Sequence, residues 1–200
     1  MCQFIETIRI ENGQINNLPY HQKRLEKTCS HFWPGGKIVS LENELSDVPK
    51  VSGIFKARLV YQKDGVVDKS YFPYSIRQIR SLQLVESDYI DYTFKSTDRK
   101  ALVELTGKQN GADEIIIVKN GLLTDTSYSN IAFHDGEKWF TPSNPLLEGT
   151  MRQSLIDQQI LTPLEIHPED IGNFKMVALI NAMMPLGRCV VPIERVYPLR

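Results

Sequence analysis

In "QFIETIRIENGQI", residues 3–15, apolar and polar side chains alternate until the pattern breaks at Asn12-Gly13. Alternation puts one set of side chains on each face of a sheet. Asn-Gly suits the positive φ pair of a tight hairpin, so the stretch predicts a strand and a turn. The period then changes. In "PYHQKRLEKTCSHF", Leu25 and Cys29 stand four apart with charges between them, which predicts an amphipathic helix. "GIFKARLVYQKDGVVDKSYFPYSI" predicts two strands joined at Asp64-Gly65. Beyond it, "LQLVES" predicts a strand, and "RKALVELTGKQNGA" a helix ended by Gly111. "DEIIIVKNGLLTDTSYSNIAFHDGEKWFTPS" holds three short strand-like runs, punctuated at Asn120-Gly121 and Asp135-Gly136. A helix is expected from Gly149-Thr150, with Met151, Leu155 and Ile156 apolar. Two late strands are expected around Pro185-Leu186-Gly187. The whole predicts an α+β chain of two lobes: a small N-terminal one over 1–82 and a larger, α/β-barrel-like one over 83–200.

Composition narrows the class. At 200 residues, with 42% hydrophobic and 24% charged, the chain can bury a real core. A formal net charge of -1 gives no global basic field, so nucleic acid is not expected as a partner. Cys2, Cys29 and Cys189 are scattered and odd in number, and the four histidines lack metal-ligand spacing. That argues against a disulfide scaffold, a zinc site or a metal hydrolase. The start, "MCQFIETIRI", carries charges too early for a signal peptide, and no apolar run approaches a membrane span. A cytoplasmic protein without a membrane segment is the expectation.

Five segments could carry chemistry. In "DYTFKSTDRK", Lys95 lies beside Tyr92 and Phe94. It reads either as a surface lysine whose stem covers an aromatic or as a reactive amine. In "HQKRLEKT", His21 and Arg24 are three apart on one helix side, either a solvated basic face or an anion grip. "LLTDTSYSNIAF" places Asp125 in a polar turn that runs straight into an apolar strand, where a carboxylate can be held half-buried. In "LLEGTMRQSL", a cap explains Thr150, and the same helix start binds phosphate. In "INAMMPLG", Asn181 and Ala182 end a strand before a tight loop whose backbone could approach a ligand. A lysine, an arginine, a helix start and a carboxylate together are the parts that pyridoxal 5'-phosphate needs.

The collinear order of these segments, over nearly the whole chain, resembles the class IV aminotransferase family, the fold-type IV pyridoxal-phosphate enzymes related to D-amino acid aminotransferase. "HQKRL" resembles its His-x-x-Arg-Leu motif, whose phosphate-binding arginine falls on Arg24. "FKSTDR" resembles the Schiff-base lysine segment, placing that lysine at Lys95. "LTDTSYSNIAF" resembles the Thr-Glu-x-x-x-x-Asn run, whose ring-nitrogen carboxylate falls on Asp125, followed by Asn130. "EGTMRQSLI" resembles the phosphate segment, which puts Gly149, Thr150, Met151 and Arg152 near the phosphate. The resemblance implies a cofactor site at the interface of the lobes, a small-molecule amino substrate and a homodimer.

Within the family, "INAMMP" and "MRQ" most resemble the branch that lyses 4-amino-4-deoxychorismate to p-aminobenzoate and pyruvate, an activity of folate biosynthesis. That branch's catalytic threonine falls on Thr7. Branched-chain or D-amino acid aminotransfer is the alternative, and a catalytically impaired cofactor-binding protein a second. Lys56, Arg58 and Tyr71 are candidates for holding the substrate carboxylate. Three departures stand out: Asp125 replaces the usual glutamate, Ala182 replaces a common hydroxyl residue, and the family's leading Asp-Arg-Gly hairpin is not found ahead of "FIETIR".

Overall fold

Phe4, Ile8 and Ile10 share one face of the first strand with Glu6, and all four are buried. That strand begins a computed structural model that describes residues 2–199. The chain divides into two compact units. One is Met1–Ser75 with Phe94–Asp98, and the other is Ile76–Thr93 with Arg99–Arg200. Residues 94–98, expected in the second lobe, therefore group with the first unit.

In the first unit, β1 (Phe4–Glu11) and β2 (Gln14–Ile15) form the expected hairpin. Asn12 and Gly13 have φ of 51° and 80°, the left-handed pair the turn requires. β3 (Ile54–Gln62) and β4 (Gly65–Pro73) complete an antiparallel sheet of order β2-β1-β3-β4. Helix α1 (Leu18–Phe32) packs its buried stripe of His21, Leu25, Thr28 and Cys29 in this unit. Leu25 and Cys29 join Phe4, Ile8, Ile10, Ala57 and Leu59 in one apolar core. A short helix, α2 (Leu41–Glu44), adds Leu41 to it. Lys95 and Ser96 lie along β1: the Ile5 N–H donates to the Lys95 carbonyl at 2.9 Å, and Ser96 pairs with Phe4.

In the second unit, β5 (Leu82–Glu86) runs parallel to β6 (Glu114–Lys119), with helix α3 (Lys100–Thr106) between them in sequence. α3 stops sooner than expected. Gly107 caps it, and the chain then turns to Gly111, whose φ is 82°. β7 (Leu122–Leu123), β8 (Asn130–His134) and β9 (Trp139–Pro142) follow, then α4 (Thr150–Asp157), β10 (Leu161–Leu164), β11 (Met176–Ile180), β12 (Val190–Pro192) and β13 (Val196–Tyr197). They form two sheets, β10-β9-β8-β11-β12 and β13-β5-β6-β7. Leu84, Ile116, Ile131, Phe133, Val177 and Leu179 belong to a single buried cluster drawn from both sheets. Among the described residues no helix is long and apolar enough to cross a membrane, and no group of three or more His, Cys, Asp or Glu residues could hold a metal ion.

Candidate active site

Each unit carries a buried polar cluster. In the first, Glu6 occupies the inward register of β1 and is fully buried. A lone carboxylate there would be costly, and its neighbours remove the cost. Arg24, one turn beyond His21 on α1, donates from Nε to Glu6 Oε1 at 2.9 Å and from Nη2 to Oε2 at 2.5 Å. The Nδ1 of His21, also fully buried, lies 2.6 Å from Glu6 Oε2. Burial works to raise the Glu6 pKa, but the Arg24 charge and the hydrogen bonds from His21 and Arg24 outweigh it and hold the carboxyl at about 2. Burial lowers the His21 pKa against the pull of Glu6, and the Arg24 and Lys95 cations add to the lowering. A neutral His21 therefore donates Nδ1–H to the carboxylate. The influence of Lys95 on His21 puts its amine in the electrical neighbourhood of this cluster.

The other face of the same sheet carries different groups. Thr7 pairs with Arg58 across β1 and β3, and Arg9 pairs with Lys56, so Thr7, Lys56 and Arg58 share a face opposite Glu6. Arg58 contacts Asp68, and Lys56 Nζ lies 5.4 Å over the Phe72 ring. Tyr71 is not part of this face. It pairs with Ala57, which puts it on the core side, where its hydroxyl donates to Asp47 Oδ1 at 2.6 Å. The strand's period of two separates it from the two cations that the sequence grouped with it.

In the second unit, residues Thr124 to Thr126 follow β7, and the chain folds back so that Asp125 bridges to Asn130 at the start of β8. Thr126 closes the turn by bonding Ser129 through its backbone and hydroxyl. Asp125 is buried and accepts only from amides. Asn130 Nδ2 donates to Oδ1 at 2.7 Å, and the Leu147 N–H donates to Oδ2 at 2.9 Å. Burial pushes its carboxyl up to about 6, against those bonds and the charge of Arg152. Asn130 Nδ2 also donates to the Leu147 carbonyl at 2.8 Å. Its Oδ1 packs so closely on Gly149 that a Cβ there would come within 1.8 Å. Only glycine fits.

Gly149 precedes α4, whose start has no side-chain cap hydrogen bond and no acidic residue in its first turn. Thr150 is buried at that start, and Met151 is half-buried. Arg152 turns inward instead, donating to Thr141 Oγ1 at 3.3 Å and to the Pro142 carbonyl at 2.8 Å. Asn181 Oδ1 accepts from the N–H groups of Met183 and Met184, and its Nδ2 donates to the Tyr128 carbonyl at 3.4 Å. It thus ties the Ala182 turn to the loop that carries Asp125.

The sequence singles out Arg24, Lys95 and Asp125 as candidates but not Glu6, which the structure buries against Arg24. The signal was present: a lone acid in the inward register of an otherwise apolar strand face. The Leu147 backbone could not have been found, because a main-chain donor leaves no mark in the sequence.

These groups fit pyridoxal phosphate. By type, the first unit offers an amine and a nearly buried arginine, and the second a glycine before a helix start and a buried carboxylate bonded to amides, which a protonated ring nitrogen would complement. A family model described as amino-transferase class IV matches residues 3–196. A candidate 4-amino-4-deoxychorismate lyase from Haemophilus somnus has a solved structure 35% identical to this chain. That match covers 93% of this chain and 98% of the other, with a TM-score of 0.88. A candidate aminodeoxychorismate lyase of Schizosaccharomyces pombe is 24% identical over 92% of this chain and 87% of its own. A hypothetical aminotransferase from Mycobacterium tuberculosis, solved in a form with pyridoxal phosphate bound, shares the fold at 14% identity. Its TM-score is 0.71, over 99% of this chain and 82% of the other.

Proposed function

Because this chain belongs to the class IV aminotransferase family, an enzyme family that uses pyridoxal 5'-phosphate, we propose that it acts on a small amino substrate, in the manner of a 4-amino-4-deoxychorismate lyase, releasing p-aminobenzoate and pyruvate. The observation that carries the cofactor assignment is Asp125: a buried carboxylate whose partners are all amides, with a pKa raised to about 6 by burial. A ring N–H⁺ would give it a directly bonded cation and bring that raised pKa back down. The lyase reading rests on the likeness to the Haemophilus somnus and Schizosaccharomyces pombe proteins.

In this reading Lys95 holds the cofactor covalently and afterwards moves the proton at the substrate Cα. Arg24, Gly149, Thr150 and the α4 start take the phosphate, with Ala182 contributing only backbone. Asn130 and the Leu147 N–H keep the shorter Asp125 side chain aimed. Bound there, the cofactor ring supplies the sink for the electron pair left at Cα. Thr7 delivers a proton during elimination, and Lys56 and Arg58 on the same sheet face receive the substrate carboxylate. The active enzyme is a homodimer.

The test is the visible spectrum of purified protein before and after borohydride, for wild type and Lys95→Ala. A yellow band fixed by borohydride as an adduct on Lys95, and absent from the variant, is expected. A protein that stays colourless with added pyridoxal phosphate overturns the reading. Assays for p-aminobenzoate release against amino-group transfer then separate lyase from aminotransferase.

A further inference from the structure

A carboxylate buried on the apolar face of β1 is expensive, and a packed hydrocarbon at the same place would stabilise the sheet at least as well. Glu6 must therefore be weighed by what it holds. Its two oxygens meet the Nε and Nη2 edge of Arg24 at 2.9 and 2.5 Å, a fork that fixes the guanidinium plane as well as its position. His21 Nδ1, 2.6 Å from the same Oε2 that takes Nη2, also holds the carboxylate, and Glu6 and His21 are both fully buried. Arg24 itself is only slightly exposed, its side chain at 11%.

We propose that Glu6, braced by His21, is a positioning residue that holds Arg24 ready for the phosphate of the cofactor. This rests on the pyridoxal-phosphate reading above. Arginine has many rotamers, and fixing one on binding weakens the complex. Glu6 fixes it in advance. Its charge also balances the guanidinium before the phosphate arrives, so the arginine stays ionised in its nearly buried position in the unliganded protein.

The experiment compares pyridoxal phosphate with pyridoxal, which lacks the phosphate. Dissociation constants are measured by equilibrium dialysis for wild type, Glu6→Gln, Arg24→Gln and the double variant. Glu6→Gln should bind pyridoxal phosphate about tenfold more weakly, the cost of re-ordering one long side chain, and pyridoxal as tightly as before. A purely structural role would weaken both ligands alike, and that result, or no change in either, overturns the proposal. Glu6→Gln leaves a buried arginine uncompensated and is the variant at risk of not folding. The double variant removes both charges and avoids that risk. It should show the same preference between the two ligands as Arg24→Gln alone. A further drop in that preference would mean that Glu6 acts other than through Arg24, and the proposal would fall. Wild-type protein that binds neither compound defeats the cofactor reading itself, and this proposal with it.

Discussion

Two buried carboxylates, Glu6 and Asp125, are pushed in opposite directions by their surroundings. Glu6 has cationic and hydrogen-bonding partners and drops from 4.5 to about 2. Asp125 has only amides and rises from 3.8 to about 6. Their effects on stability therefore run opposite ways with pH. The Glu6 contribution is complete above about pH 4.5 and is lost as the pH falls towards 2. At about 1.4 kcal/mol per unit this amounts to roughly 3 kcal/mol. Denaturant melts between pH 5 and pH 2 should show a decline that Glu6→Gln flattens. Asp125, with its raised pKa, favours the fold most below about pH 3.8. That contribution disappears as the pH climbs through 6, up to about 3 kcal/mol in the unliganded protein. Asp125→Asn should remove this decline, and unliganded melts at pH 4 and pH 7 will check it. An Asp125→Asn profile that still falls across that interval would place the pH sensitivity elsewhere. At this scale the sequence was half legible. Side chains with a motif around them, such as Arg24 and Asp125, stood out as candidates. Glu6 needed the strand register, and so did the separation of Tyr71 from Lys56 and Arg58, because residue spacing in β3 and β4 decides the face.

Elements closed by local turn chemistry were readable from their own residues. Asn12-Gly13 and Asn120-Gly121 adopt positive φ at both positions, as their hairpins require. The strands missed are those whose partners are not beside them in the chain. β10 pairs with Trp139–Pro142 in parallel, and β13 pairs with Leu82 and Gln83, more than a hundred residues distant. Strands of two to four residues carry too little pattern to be recognised alone. The start of α4 was legible because a glycine stands before it, though the reason for the glycine was not. Asn130 fills the space where a side chain would begin. Gly149→Ala should force Asn130 off Asp125 and lower stability by about 1–3 kcal/mol, as overpacking does. It should also weaken cofactor binding. Thermal melts and a pyridoxal phosphate titration of the same variant test both, and an alanine tolerated without loss would mean that the Asn130 contact yields easily. In α1, Leu25 is fully buried against β1 and β3, so Leu25→Ala should cost about 2–5 kcal/mol in chemical denaturation.

For the molecule as a whole, the cofactor reading makes a thermodynamic demand. A ligand that binds only the folded chain at a hundred times its dissociation constant adds about 2.7 kcal/mol to unfolding. Pyridoxal phosphate should raise the melting temperature accordingly, and Arg24→Gln should blunt the rise. The absence of any shift at saturating ligand would count against the cofactor. Light scattering of the purified chain tests the homodimer directly.

The short segment Phe94–Asp98 belongs with the first unit, although the chain on either side of it belongs to the second. Protein chains emerge from the ribosome N-terminus first, and domains tend to fold as they appear. Here the sheet of the first unit can form its hairpins and seat Arg24 against Glu6 while the edge of β1 beside Ile5 still waits. Its last neighbour arrives only after residues 76–93 have been made. The amine assigned to hold the cofactor is thus the final piece added to a scaffold whose phosphate grip is already set. A gene cut anywhere between residues 75 and 94 would leave the upstream fragment without it.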